Sequence, residues 1–252
     1  DQVIMRTVVG VATTASARVD LRTPNGVHQP LTPLHSGSPA SRESWSSLGL
    51  QGKRFTCGGP SADRIAEVAR DDWDEVLVIG HSSGAYIAVS ALAGLARQGR
   101  LPAQVSLLTL GHVVPMASFL PNADQLRRDL HDLAAAGQVW VDVTAPGDAC
   151  CFGLCDPVAV SRCVPQGGGG PLVLSAAFTR TLSPEKQKAL RGRWFRLHFQ
   201  YLCAFDNLPG STWDYDYFRI TAGPQTLGQR YADRPPSRSR IERAASGHTS
   251  LS

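Results

Sequence analysis

The stretch Val76–Ala93, VLVIGHSSGAYIAVSALA, is the part of the sequence on which the fold depends. Its first four residues are apolar and three are β-branched, which predicts a buried strand, and the small residues after the turn predict a helix. Gly80 and Gly84 lie two residues either side of Ser82 and lack the Cβ atoms that would clash in a strained strand-to-helix turn. Such a turn lifts the Ser82 hydroxyl above the carboxyl edge of a sheet. It also leaves the Ser83 N–H at a helix N-terminus, where it can donate to a developing oxyanion.

The segment Gly80–Gly84 fits the pattern Gly-x-Ser-x-Gly, which resembles the nucleophile elbow of α/β-hydrolases. The string alone is a weak signal, because a chain with 24 glycines in 252 residues gives about 0.2 matches by chance. The flanking strand and helix favour a functional interpretation, in which Ser82 is a nucleophile. The alternative is structural, with the glycines forming only a turn.

Strand and helix patterns alternate along the rest of the chain. They predict an α/β fold, with a mostly parallel sheet flanked by helices and joined by right-handed crossovers. Strands are expected at residues 2–12, 75–79, 104–111, 138–145, 171–178 and 217–222, and helices from 61, after 84, at 122–136 and at 183–205.

Three segments differ in composition. Residues 1–60 are rich in Ser, Thr, Pro and Gly without a regular period, which predicts an irregular or poorly ordered segment. Residues 61–232 carry the periodic patterns and predict an α/β-hydrolase core. Residues 233–252 are rich in Arg, Ser and Pro and predict a disordered tail. The chain opens at Asp1 without an initiator Met, which suggests a fragment, a processed chain or an incomplete gene model.

The composition and charge of the chain argue against a nucleic-acid-binding protein and against a membrane-spanning one. With 42% hydrophobic residues and a net charge of +4, the sequence predicts a globular protein with one large core. The positive charges are scattered apart from Arg191–Arg196 and Arg238–Arg243, which predict solvated faces rather than a nucleic-acid surface. The sequence has no apolar run of about 18 residues and no visible signal peptide. We therefore expect no nucleic-acid partner and no transmembrane segment. Peripheral contact with a membrane and the oligomeric state stay open.

The six cysteines predict neither a disulfide framework nor a metal site. Cys150, Cys151 and Cys155 crowd one loop, and the other three are isolated. Adjacent cysteines rarely bridge each other, and no Cys-x-x-Cys or His-x3-His pairing suits a metal. The expectation is a reducing, cytoplasmic compartment, with no cofactor and no metal.

A serine hydroxyl needs a base, and the base needs a carboxylate to orient it. Asp148 is the preferred acid because it follows the strand at 138–145 after a Pro-Gly turn, where a loop carboxylate would face Ser82. Two alternatives stay open. Asp142 lies within the strand and suits a packing or hydrogen-bonding role, and Asp156 precedes a proline and suits a turn.

Seven histidines compete for the role of base. In α/β-hydrolases the order along the chain is serine, acid, histidine, which favours His198 in the aromatic-rich segment 195–201. The alternative is a helix histidine satisfied in the core. A base usually lies on a loop, so the helix is expected to begin or break near His198, with Tyr201 packed beside it. The other histidines fit less well. His28, His35 and His112 come before the acid in the chain, and His81 is adjacent to the predicted nucleophile. His131 is expected to be solvated on a helix, and His248 lies in the predicted tail.

Together these residues resemble an α/β-hydrolase of the serine esterase and lipase kind, over residues 61–232. The features similar to the class 3 lipase pattern are Gly80–Gly84, the strand ending at Leu110-Gly111 and the pair His198-x-x-Tyr201. Residues 140–148 with 196–201 look closer to a bacterial branch of hydrolases.

The front of the chain departs from that family. Its members carry an earlier strand and a following loop that gives the second oxyanion-hole N–H. Residues 1–60 contain no convincing copy, and Thr13–Pro60 reads as foreign sequence. The resemblance therefore implies an N-terminally incomplete fold. Loss of one oxyanion donor typically costs about 10²–10³ in rate.

The resemblance implies cleavage of a small-molecule or lipid ester through an acyl-enzyme. Ser82 attacks the carbonyl, His198 moves the proton, Asp148 orients the imidazole and the Ser83 N–H stabilises the oxyanion. The apolar loop at 113–120 suits a hydrophobic pocket wall.

Two other functions compete with this one. The chain could be a catalytically impaired or non-catalytic hydrolase-fold binding module, which the unusual N-terminal segment favours. It could also be a thiol enzyme that uses Cys150 or Cys151, which the sequence favours least.

Overall fold

The computed structural model of the protein describes residues 5–11, 59–210 and 214–251. Five strands form one all-parallel sheet, in which neighbours along the chain are also neighbours in space. This arrangement confirms the predicted α/β fold with a parallel sheet. The strands are β1 (Arg6–Val11), β2 (Glu75–His81), β3 (Val105–Leu110), β4 (Trp140–Thr144) and β5 (Leu172–Ser175).

Helices flank the sheet in two groups. Those before β5 are α1 (Gly59–Val68), α2 (Gly84–Arg97), α3 (Val114–Ser118), α4 (Asp124–Ala136) and α5 (Pro157–Val160). Those after β5 are α6 (Phe178–Thr181), α7 (Pro184–Leu190), α8 (Trp194–His198), a 3-10 turn at Phe199–Leu202, α9 (Tyr217–Ala222) and α10 (Leu227–Tyr231).

The strand order explains which helices cover which face of the sheet. Parallel crossovers share one hand, so strands added successively in one direction put their connecting helices on the same face. Helices α1, α2 and α4 do pack together on one face, with Val76 and Val78 beneath them. The opposite face, which carries Leu77 and Ile79, is covered by elements that follow β5. Both faces of β2 are buried, which is why its sequence is a continuous apolar run.

Strand β1 confirms the strand predicted near the N-terminus, over the part that the structure describes. It pairs with β2 from Arg6 opposite Glu75 to Val11 opposite Gly80. The irregular segment predicted after it lies outside the described residues as far as residue 58, and α1 begins at Gly59.

Residues 217–222 form helix α9, so the strand predicted there is wrong. The Asp216 side chain accepts hydrogen bonds from the backbone N–H groups of Phe218 and Arg219, at 2.9 and 3.2 Å. Such an N-cap satisfies donors that a helix start otherwise leaves unpaired. The cap therefore outweighs the β-prone composition of the segment.

The single long helix predicted at 183–205 is interrupted. Helix α7 ends at Leu190 and α8 begins at Trp194. Between them Gly192 has a φ of 72°, in the left-handed region that ends helices and that glycine adopts without strain. Helix α8 then ends at His198, where a break was expected.

Residues 234–251 contact the core, in contrast to the disorder that their composition predicts. Ile241 forms a parallel bridge with Cys155, and the guanidinium of buried Arg127 donates to the carbonyl of Ser250 at 2.8 Å. These partners are distant in sequence, so local composition could not reveal them. The division of the chain at residues 61 and 233 itself stays a prediction.

Candidate active site

The turn at Ser82 joins β2 to α2 in a strained conformation. Ser82 has a φ of 57°, a left-handed value that costs a residue with a Cβ on the order of 1 kcal/mol or more. Its N–H donates to the Leu110 carbonyl at 2.9 Å, which ties the turn to the end of β3. A Cβ at Gly80 would lie 2.7 Å from Ala85 Cα, so only glycine lets the strand and the helix meet this closely. The half-buried Ser82 therefore lies at the carboxyl ends of β2 and β3.

Ser83 is the N-cap of α2, directly after the predicted nucleophile. Backbone N–H groups at a helix start have no intrahelical acceptor, and the helix dipole favours negative charge there. The N–H of Ser83 is thus at a position suited to donate to an oxyanion. In the family that the sequence resembles, a loop after an earlier strand gives a second donor, of which the sequence shows no convincing copy. The residues that follow β1 lie outside the described part of the chain.

Asp148 follows β4 on a short loop and is 3% exposed. Its Oδ2 lies 2.7 Å from His198 Nδ1, and its Oδ1 accepts the backbone N–H of Cys150 at 3.0 Å. Burial raises the pKa of this carboxyl, but the hydrogen bonds from His198 and Cys150 outweigh burial, and the net pKa lies below its usual value. Asp148 is therefore an ionised, hydrogen-bonded partner for the imidazole.

The two alternative acids have other partners. Asp142 is fully buried in β4 and accepts the Thr109 hydroxyl at 2.5 Å, and burial raises its pKa to about 6. Asp156 is the N-cap of α5 and accepts the backbone N–H groups of Val158 and Ala159. These contacts agree with the hydrogen-bonding and turn roles considered for the two residues.

His198 ends α8 and is 3% exposed. While Nδ1 faces Asp148, the other ring nitrogen, Nε2, is buried and has no hydrogen-bond partner among the described residues. A Cβ placed on Gly111, directly after β3, would lie 3.1 Å from His198 Cε1. The imidazole is thus at the same edge of the sheet as Ser82, with one nitrogen oriented by a carboxylate and the other unoccupied.

His81 precedes Ser82 and links the elbow to His198. Its Nε2 donates to the His198 carbonyl at 2.8 Å, and the two rings are 4.6 Å apart between centroids. Burial lowers the pKa of His81 to about 4, so the ring is neutral at pH 7. Because a carbonyl only accepts, the Nε2–H tautomer of His81 is required. His81 therefore supports the segment that carries the predicted base.

The strongest competing histidine is His112, which has no nitrogen left for a serine. Its Nε2 donates to the Cys155 carbonyl at 3.0 Å, and its Nδ1 accepts the Val114 N–H at 3.3 Å. Nε2 also lies 3.5 Å from Asp142 Oδ2, in a wholly buried pair.

The remaining histidines are in other settings. His131 is half-buried on α4 beside Asp132, and the His248 backbone N–H donates to Ser246. His28 and His35 lie outside the described residues.

Tyr201 has a role that the sequence analysis did not assign. The expectation was only that it packs beside His198. Its ring is fully buried and its hydroxyl donates to Asp148 Oδ2 at 3.1 Å. Gly111, with a φ of 52°, makes room for it, because a Cβ there would lie 2.7 Å from Tyr201 Cε2. The i, i+3 spacing of His198 and Tyr201 was the available signal, and the carboxylate contact depends on the fold.

Cys151 lies in the acid loop, with its Sγ 3.6 Å from the Tyr201 hydroxyl. Burial, together with the negative charge of Asp148, raises the pKa of this thiol to about 12. A thiol of this pKa stays protonated at neutral pH and is a poor nucleophile. The pKa of Cys150 is raised as well, chiefly by burial.

Some side chains of the apolar loop after β3 are buried in the core and others are exposed to solvent. Val113 and Val114 are buried, the latter in the core cluster beneath α2 and α4. Met116 and Leu120 are 57% and 45% exposed. Only the exposed part of the predicted pocket wall can contact a ligand.

The described part of the chain contains no helix long and apolar enough to cross a bilayer. Within residues 5–11, 59–210 and 214–251, no group of three His, Cys, Asp or Glu side chains is arranged to hold a metal ion.

Comparison with known proteins gives one match. The family described as alpha/beta-hydrolase family N-terminus matches residues 1–60. No curated protein and no solved structure matches the chain. The match corrects the expectation that Thr13–Pro60 is foreign sequence, since it falls on the segment that the resemblance at 61–232 left out. Composition could not reveal this, because a segment rich in Ser, Pro and Gly has little hydrophobic period. The match supports a relationship between this chain and the α/β-hydrolase superfamily, and the all-parallel sheet with flanking helices is consistent with that relationship.

Proposed function

We propose that the chain is a serine hydrolase that cleaves carboxylic esters through an acyl-enzyme on Ser82. The observation that carries the proposal is the 2.7 Å contact between Asp148 Oδ2 and His198 Nδ1. His198 Nε2, at the edge of the sheet that holds Ser82, has no hydrogen-bond partner among the residues that the structure describes. A base with one nitrogen oriented and the other available is what a serine nucleophile requires.

The reaction follows from these groups in two halves. His198 Nε2 takes the proton from Ser82 as Oγ bonds to the ester carbonyl carbon, and the oxyanion accepts the Ser83 N–H. Asp148 stays ionised and stabilises the imidazolium. The C–O bond to the alcohol then breaks and His198 returns the proton to the leaving oxygen. Water repeats the sequence on the acyl-enzyme and releases the carboxylic acid.

The preference for an ester with an apolar acyl group rests on the loop after β3. The exposed side chains of Met116 and Leu120 offer apolar contacts to such a group. The substrate class is therefore a small-molecule or lipid ester.

The test is labelling of the folded chain with a fluorophosphonate, which reacts with activated serines. We expect one adduct on Ser82, found by peptide mass analysis, and none in Ser82→Ala. Ser90→Ala, in α2, is the matched control and keeps the label. A folded chain with no adduct, and with no turnover of short or long p-nitrophenyl esters, supports the binding-module alternative instead.

A second assay distinguishes a serine nucleophile from a cysteine nucleophile. Iodoacetamide treatment is expected to leave ester hydrolysis unchanged, because the pKa values of Cys150 and Cys151 are raised. Loss of activity on alkylation together with full activity in Ser82→Ala would establish a thiol enzyme.

A further inference from the structure

The chain from Lys186 to Phe199 presents an unusual surface. Three large aromatic side chains lie there in the open: Trp194 is 58% exposed, Phe195 75% and Phe199 43%. Exposed apolar residues are normal when scattered, but three aromatics within six positions form a patch of the kind that marks a binding surface. Burying them would gain free energy that the described fold leaves unused.

Positive charge is concentrated in the same stretch of sequence as these rings. Five cationic residues lie in the segment against one carboxylate, Glu185, next to it. Within the described residues, Arg191, Arg193 and Arg196 are exposed and form no ion pair. We name the exposed residues Arg191, Arg193, Trp194, Phe195, Arg196 and Phe199 the basic aromatic face.

The basic aromatic face adjoins the candidate active site. Helix α8 carries Trp194 and Phe195 and ends at His198. The ring of Phe199, half in solvent, lies 4.9 Å from the ring of His81 and 6.1 Å from that of His198. Whatever binds the face is therefore held beside the predicted base.

We infer that the basic aromatic face docks onto an anionic phospholipid bilayer. Aromatic rings settle at the headgroup level while arginine side chains reach the lipid phosphates, so a bilayer satisfies both features of the face at once. Charge complementarity selects an anionic bilayer over a neutral one. The further step, delivery of a membrane ester to Ser82, rests on the proposed function, whereas the docking itself does not.

Binding is tested with Ser82→Ala full-length protein, so that lipid hydrolysis cannot interfere. The protein is sedimented with vesicles of phosphatidylcholine alone or with about one-third phosphatidylserine. We expect strong binding only to the second, falling steeply with salt. Replacing Arg191, Arg193 and Arg196 by Gln should weaken binding about a hundredfold, since each cation near such a surface contributes about fivefold.

The matched control removes the same charge elsewhere. Arg70, Arg238 and Arg243 are exposed, and their joint replacement by Gln should leave vesicle binding unchanged. Among the aromatic residues, Phe195→Ala should weaken vesicle binding. Phe218, in α9, is 48% exposed and lies outside the basic aromatic face, so Phe218→Ala should leave binding unchanged. All these positions are on the surface, so the variants are expected to fold, and far-ultraviolet circular dichroism verifies it.

A spectroscopic readout is independent of sedimentation. The fluorescence of Trp194 should shift to the blue on vesicle binding, and Trp194→Phe should lose the shift yet still bind. Equal binding to both vesicle types, full binding by the Arg191/Arg193/Arg196 variant, or binding to a single-stranded oligonucleotide in place of vesicles would overturn the inference. Failure of fluorophosphonate labelling with intact vesicle binding would remove only the proposed function.

Discussion

Tyr201 donates its hydroxyl to Asp148 Oδ2 at 3.1 Å, the same oxygen that lies 2.7 Å from His198 Nδ1. The carboxylate is thus held from two sides by residues three positions apart in the chain. The backbone of Tyr201 is held in turn, since its carbonyl accepts the Tyr215 hydroxyl at 2.7 Å. In the proposed reaction Tyr201 would be a positioning residue, because it would act through Asp148 and His198.

Removing this hydroxyl tests the positioning role. Tyr201→Phe should lower kcat for a p-nitrophenyl ester about tenfold with little change in KM, the range expected for a hydrogen bond to a charged group. Tyr231→Phe is the control, because Tyr231 is also buried on that face of the sheet but its hydroxyl does not hydrogen-bond Asp148. Equal losses in both variants would mean that Tyr201 contributes only packing.

Asp148→Asn and Asp156→Asn distinguish two of the candidate acids. An amide no longer orients the correct imidazole tautomer, so kcat should fall by about 10⁴, the loss that the same change causes in the Ser-His-Asp triad of serine proteases. Asp156→Asn should retain activity, and as an altered N-cap of α5 it should cost at most about 1 kcal/mol of stability, measured by urea unfolding. A larger loss of kcat in Asp156→Asn than in Asp148→Asn would reverse the assignment.

Alanine variants of Gly111 and Gly99 test whether the predicted base, His198, needs the space that a glycine leaves beside it. Both have a positive φ, 52° and 63°. A Cβ at Gly111 would meet Tyr201 and His198, while one at Gly99 would meet no atom of the described residues within 4 Å. Gly111→Ala should therefore displace the imidazole and lower kcat/KM about a hundredfold. Gly99→Ala should lose about 1 kcal/mol of stability through backbone strain alone and stay active. Comparable activities in the two variants would contradict the close packing at the end of β3.

Asp142 predicts a pH dependence of stability. Its pKa is raised from 3.8 to about 6 by burial, so the folded state favours the neutral carboxyl. The contribution of the neutral Asp142 carboxyl to the free energy of unfolding is fully present below pH 3.8. It is lost as the pH rises through about 6. Urea unfolding across this range should show wild type losing about 1–3 kcal/mol relative to Asp142→Asn. A difference between the two proteins that does not vary with pH would exclude an ionising Asp142.

The sequence predicts those features that depend on local pattern. The run Val76–Ile79 is apolar at every position because both faces of β2 are covered, and the predicted strand follows from that run. The turn at Ser82 likewise follows from its flanking glycines, which allow the strained φ. Both signals lie within a few residues of the feature that they predict.

Features set by distant residues could not be read from local pattern. Residues 217–222 have β-prone side chains, and burial of Ile220 in the core, which favours the helix, cannot be read from them. The cap from Asp216 was a local signal for this helix that the prediction did not use. The contact of Tyr201 with Asp148 joins positions 53 apart, and Ser250 reaches Arg127 across 123. The labels "base" and "acid" for His198 and Asp148 remain predictions, although the two side chains are in contact.

The order of the strands has a consequence for how the molecule is assembled. Strands β2 to β5 each pair with the next one along the chain, so that part of the sheet can grow one crossover at a time. Strand β1 is different, because Val11 and Glu75 are separated by a much longer stretch than any other two successive strands, and closing that loop has the greatest entropic cost. Until β1 docks, the elbow strand is an open edge that can recruit another chain. Refolding yield should therefore fall as protein concentration rises, because β2, the strand that precedes the predicted nucleophile Ser82, is the edge that can pair with another chain.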